Sequence, residues 1–118
     1  MEDMLNKTEV LEISKGIALF LDDNKAEDIV TLDVSGKCSW ADIFIVASVN
    51  SQGQLRGLVD LLNQYFKKNN IKTNTALRKL DITDWVLLDC DPIIIHLMEK
   101  KTRQFYEIEN LWFEAERL

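Results

Sequence analysis

Glycine and proline are scarce, with four glycines and one proline in 118 residues. Long loops, flexible linkers and low-complexity segments are therefore not expected. Cysteine is nearly absent too: Cys38 and Cys90 stand far apart and form no C-x-x-C pair. The single histidine, His96, completes no usual zinc spacing with them. Two buried free thiols in a reducing compartment are expected instead. Positive charge is in deficit, with 14 Lys and Arg against 20 Asp and Glu and a net charge of -6. That balance argues against wrapping nucleic acid, which needs concentrated positive charge. Apart from Lys67-Lys68 and Lys100-Lys101, the basic residues are scattered. An acidic domain is drawn instead to a basic protein surface. No apolar run approaches the roughly 20 residues that span a bilayer. The start, Met1-Glu2-Asp3-Met4, lacks the basic n-region of a secretory signal. The expected location is cytoplasmic.

What remains is a globular composition, with 47% hydrophobic and 29% charged residues. This suits one domain over residues 1–118, large enough for a single core. The first helix is predicted over Thr8 to Asp22, where Val10, Ile13, Ile17 and Leu21 form one apolar stripe. Asn6 and Glu9 make a capping box before it. Ile29 to Val34 alternates as a strand with one buried face. Ser35-Gly36-Lys37 reads as a turn. Ile43 to Ala47 is apolar on both faces, as in a central strand. Ser51 and Gln54 cap a second helix carrying Leu55, Leu58, Val59, Leu62, Tyr65 and Phe66 at a period of 3.6. Lys67 and Lys68 complement its dipole. Ile71 to Thr75 is a weaker strand candidate. Trp85 to Asp89 and Ile93 to Met98, joined by the tight Cys90-Asp91-Pro92 connection, make an antiparallel hairpin. Thr102 could cap a last helix with Phe105, Ile108, Leu111 and Trp112 on one face. The order α-β-β-α-β-β-β-α predicts an α/β fold: a mixed sheet flanked by helices, not a uniform doubly wound parallel sheet.

Reactive constellations are few. Asp89-Cys90-Asp91 is a D-x-D pair that could share a divalent cation, as nucleotide-transferring enzymes require. Short acidic residues also favour turns, and Pro92 strengthens that alternative. The loop 48–53 has one glycine and no P-loop lysine, so it is a poor phosphate cradle. His96 lies in an apolar strand with no marked nucleophile or orienting acid, which favours a structural or face-lining role over catalysis. Trp40, Trp85 and Trp112 are core or interface residues, and for Trp85 the two remain equally open. No cofactor, metal site or catalytic residue is predicted.

The segment Lys25-Ala26-Glu27-Asp28-Ile29-Val30-Thr31-Leu32-Asp33-Val34 resembles the opening signature of the ribosomal silencing factor (Iojap-like) family. Ser39 and Asp42 before the apolar strand, and Asp60 in the second helix, follow in step. Asp84-Trp85-Val86-Leu87-Leu88-Asp89 is similar to the family's D-W-hydrophobic-D segment. Ile93 to Met98 is similar to its strand ending in H-hydrophobic-M. Arg103-Gln104-Phe105-Tyr106 and Leu111-Trp112 resemble its R-x-F/Y-Y and closing L-W. The likeness runs from Lys25 to Trp112 and is specific through joint order and spacing. Departures occur at Val49 in place of a glycine, Gln54 in place of a histidine, Pro92 in the hairpin turn, and the glycine-free segment 76–80.

The resemblance implies a nucleotidyltransferase-like fold without enzymatic apparatus. It also implies binding to the large ribosomal subunit through the ribosomal protein L-fourteen, at the surface facing the small subunit. The bound domain would block subunit joining sterically and damp translation when nutrients are scarce. Family members tend to form homodimers. Carried over by position, the partner-binding residues would be Trp85 as apolar anchor, Asp42 and Asp89 as partners for Arg or Lys, and His96 as a hydrogen-bonding group. Arg103 and Tyr106 would hold the last helix on the sheet. Two other classes compete: a nucleotidyltransferase using Asp89 and Asp91, and a plain oligomerisation module.

Overall fold

Helix α1, Lys7–Asp23, begins where Asn6 Oδ1 accepts the Glu9 amide at 2.8 Å and Glu9 Oε1 accepts the Asn6 amide at 3.1 Å. This is the predicted capping box, reciprocal and complete. In this computed structural model, residues 6–75, 82–106 and 116–118 are described. Helix α2, Gln52–Lys68, is capped by Ser51, whose hydroxyl accepts the Gln54 amide at 3.1 Å. Its box closes differently: the Gln54 side chain takes the amide of Asn50, at 2.9 Å, one residue before the cap.

The strands are β1 (Glu27–Asp33), β2 (Ile43–Val49), β3 (Trp85–Cys90), β4 (Ile93–Glu99) and β5 (Glu116–Arg117). They form one sheet in the order β3-β4-β2-β1-β5. The β1–β2 and β3–β4 pairs are antiparallel, as expected for consecutive strands, while β2 and β4 run parallel. The sheet is therefore mixed, as the pattern predicted. A short helix α3, Lys100–Tyr106, follows β4 directly.

Both long helices lie on one face. Val10, Ile17 and Leu21 of α1 and Leu55, Leu58, Leu62 and Phe66 of α2 join one core cluster. Alternate residues of three strands meet them, including Ile45 and Ala47 of β2, Ile95 and Leu97 of β4, and Leu88 of β3. All seven residues of β2 are buried, because its second face is covered as well. That face carries Leu32, Phe44 and Ile94, which pack with Val34, Cys38 and Ala41.

Two expectations are revised. Ile71 to Thr75 is irregular, not a strand. It is fastened to β3 at one point: the Asn74 amide (2.8 Å) and the Thr73 hydroxyl (3.1 Å) donate to Asp89 O, and Thr75 Oγ1 accepts the Asp89 amide at 2.9 Å. Short hydroxyl side chains here take the place of a ladder. A two-residue β5 completes the sheet instead. Thr102 sits inside α3 and not at its cap, donating to Asp84 Oδ2 at 2.7 Å. The predicted helix residues Ile108, Leu111 and Trp112, and the glycine-free segment 76–80, lie outside the described residues.

Candidate functional site

Period-two alternation decides which β3 side chains look away from the helices. Val86, Leu88 and Cys90 enter the helix-covered core, so Trp85, Leu87 and Asp89 share the opposite face. Antiparallel register sets Trp85 across from Met98, Leu87 across from His96 and Asp89 across from Ile94. Parallel register then sets His96 beside Val46 and Ile94 beside Phe44.

The result is a row of rings across the sheet. Trp40 lies 5.6 Å from Phe44, Phe44 meets His96 edge-on at 5.1 Å, and Trp85 lies 6.0 Å from His96. Edge-to-face and tilted pairs at these separations are mutually favourable. Trp85 also packs against Val46 and Met98. Its Nε1–H donates to His96 Nδ1 at 3.2 Å. That bond requires a bare Nδ1, so the imidazole proton sits on Nε2 in the neutral tautomer. Nε2 is buried and has no hydrogen-bond partner among the described residues. Burial pushes the His96 pKa down to about 4. His96 is only 4% exposed, so it acts on the surface through Trp85. A buried imidazole with so low a pKa is poorly matched to general-base work near neutrality.

The periphery supplies exposed apolar surface. Trp40 is 57% exposed, Leu87 43% and Phe105 80%. Leu87 was not singled out from sequence, and Trp40 was named only as a core or interface tryptophan. The alternation placing Leu87 with Trp85 was legible; the approach of Trp40 to Phe44 depends on the fold of loop 34–42. Asp84 holds the start of this face to α3: its carbonyl accepts the Glu99 amide at 2.9 Å, and the Thr102 hydroxyl keeps its carboxylate below the usual range. Arg103, buried, donates from Nη1 to Ser48 Oγ at 2.8 Å and so fixes α3 on β2. Tyr106 ends α3.

The two acidic candidates sit apart from the rings. Asp89 is half-buried on the same face, and its Oδ1 accepts the Asp91 amide at 3.0 Å. The D-x-D segment is thus an Asx turn leading into the cis Asp91–Pro92 bond. Asp42 is exposed just before β2, where its amide donates to Pro92 O at 2.9 Å and its carbonyl accepts the Val34 amide at 2.8 Å. It borders a small pocket with Lys7, Val10 and Ser35, on the α1 side. Trp85, His96 and Asp89 share one face; Asp42 does not join the ring row. Cys38 and Cys90 are free and buried, and burial raises the Cys90 thiol to about 11.

Comparison with known proteins agrees with this architecture. A crystal structure of a Chromobacterium violaceum protein is similar, with a TM-score of 0.78 and 31% identity over 88% of this chain and 86% of that one. The ribosomal silencing factor RsfS of Bacillus subtilis is 31% identical over 111 residues, covering 94% of this chain and 91% of that protein. RsfS of Zymomonas mobilis is 38% identical over 96 residues, covering 78% and 68%. The family model described as "ribosomal silencing factor during starvation" matches residues 7–118. With that match spanning helix α1 to the last strand, the chain belongs to the ribosomal silencing factor family.

Proposed function

We propose that this protein binds the large ribosomal subunit through the ribosomal protein L-fourteen and prevents the small subunit from joining. Its mechanism is steric, and no bond is made or broken. The observation that carries this reading is the ring row on the sheet face opposite α1 and α2, flanked by exposed Trp40 and Leu87. A partly exposed tryptophan on a rigid strand is suited to anchor an interface, because little side-chain freedom is lost on docking. Trp85 is the anchor and His96 holds its indole. Asp89 at the margin of this face, and Asp42 near the same end of the sheet, receive Arg or Lys from a basic partner. An interface of standard size, roughly 800 Å² per partner, fits a domain of this length. Binding would take place in the cytoplasm and damp translation during starvation, and the protein would also form a homodimer.

The decisive experiment is sedimentation with purified subunits. The protein should migrate with large subunits and reduce the yield of joined ribosomes. Free migration at the top of the gradient would defeat the proposal. Trp85→Ala should weaken binding by about tenfold or more, since truncating an anchor removes about 2 kcal/mol. A folded Trp85→Ala variant that binds normally would remove Trp85 from the interface.

A further inference from the structure

Helix α3 is fastened to each of the strands β1 to β4 at one end of the sheet. It continues β4 directly. Lys100 pairs with Glu27 of β1, the Thr102 hydroxyl donates to Asp84 just before β3, and Arg103 donates to Ser48 of β2. The attachment points follow one row of the sheet. Register sets Glu27 across from Ser48, Ser48 beside Met98, and Met98 across from Trp85. The row ends on the tryptophan of the ring face. Trp85 is the first residue of β3, and among the described residues β3 is an outer strand. Strand ends are where a sheet opens most readily. Asp84 opposes opening here with two atoms. Its carbonyl accepts the Glu99 amide at 2.9 Å, and its Oδ2 accepts the Thr102 hydroxyl at 2.7 Å. Thr102 is buried, so packing holds the donor in place, while the Asp84 carboxylate reaches it from the exposed side.

We propose that Asp84 and Thr102 form a clamp that positions Trp85 for docking: Asp84 is the positioning residue, and Trp85 makes the contact. The inference rests on the reading of Trp85 as the anchor. An anchor binds tightly when its bound geometry already exists before docking. The indole meets that condition only while its Nε1–H stays on His96 Nδ1, at 3.2 Å, and its ring stays on Val46 and Met98. Both contacts depend on where the Trp85 backbone lies. Pairing with Met98 fixes it laterally, and the Asp84 clamp fixes the peptide that leads into it. The Thr102 hydroxyl also holds the Asp84 carboxylate below its usual pKa, as a charge-assisted bond does. Arg103 and Lys100 tie the helix that carries Thr102 to β2 and β1, so the donor is braced against the sheet. A direct ion pair between Asp84 and a basic partner is a different reading, and the test separates the two.

The test uses the full chain. The Trp85 indole Nε1–H resonance, assigned by its loss in Trp85→Phe, is read on the unbound protein, and sedimentation reads binding to large subunits. Thr102→Val removes the hydroxyl at similar volume. It should speed solvent exchange of that indole proton about fivefold or more. It should also weaken subunit binding about fivefold or more. Thr102→Ser should restore both. Asp84→Ala should match Thr102→Val, and the double variant should lose no more than either alone, because both remove one interaction. Asp84→Asn keeps an acceptor oxygen and should bind within about twofold of the parent. A loss equal to that of Asp84→Ala would assign Asp84 to a direct ion pair and overturn the clamp. Ser51→Ala removes a hydrogen bond at the α2 cap and should leave the indole signal and binding unchanged. An unmoved indole signal in Thr102→Val, no rescue by Thr102→Ser, or an equal loss in Ser51→Ala would each overturn the proposal. A parent that ignores large subunits would defeat the proposed function instead, and the indole signal would then decide the clamp alone.

Discussion

His96 illustrates how one side chain ties sheet chemistry to the surface. It is buried, it accepts from Trp85, and its pKa falls to about 4. The unfolded chain holds this imidazole near its ordinary 6.5. Between those values the unfolded state binds more protons than the folded one, so stability falls as pH drops. The full contribution is present above pH 6.5 and is lost progressively toward pH 4. A shift of that size corresponds to about 3 kcal/mol at most. Urea unfolding at neutral pH and near pH 5 should show this loss, and a folded His96→Phe variant should show a flatter dependence over the same interval. Asp33, whose carboxylate is lowered first by the Ser35 hydroxyl, loses its contribution only at more acid pH. Glu27, held low first by Lys100, and Asp84, held low first by Thr102, also lose their contributions on the acid side, so the histidine effect is read between neutral pH and about pH 5. Equal slopes for both proteins would remove His96 as the cause.

At the scale of elements, α2 and its cap contribute by different physics. Ser51 satisfies one amide that the helix cannot pair internally. Ser51→Ala should therefore lower stability by about 1 kcal/mol. Phe66, 1% exposed, fills the core between α2 and the sheet. Phe66→Ala should cost about 3–5 kcal/mol, because a cavity adds to the lost transfer energy. Denaturant midpoints at unchanged slope are the measurement. A larger loss at Ser51 than at Phe66 would contradict the assignment of stability to packing. Both elements were legible beforehand, since caps and stripes repeat within a few residues. The segment Ile71–Thr75 was not, because Thr and Ile favour strands locally while this stretch is held to β3 by bonds at Asp89 in place of a ladder.

For the whole molecule, net charge governs encounter. At -6 the chain is attracted over a Debye length to a basic surface. If its partner is a basic ribosomal surface, the association rate should fall as ionic strength rises, with a weaker effect on dissociation. Stopped-flow mixing with large subunits at low and high salt reads this directly. A salt-independent association rate would argue for an uncharged recognition surface. Family membership was also legible at this scale, through ordered motifs from Lys25 to Trp112, and the match over residues 7–118 bears it out.

The sequence by itself determined the two long helices, the hairpin, the two-sided burial of β2 and the acidic character, because each follows from spacing or summed charge along the chain. Tertiary structure alone decided that β2 pairs in parallel with β4 and that Trp40, Phe44, His96 and Trp85 align. The β2–β4 pairing and the meeting of Phe44 with His96 join residues about fifty positions apart, and Trp40 and Trp85 enter the same row only through them. Their partners are chosen by competition for the same apolar faces, which no local period records.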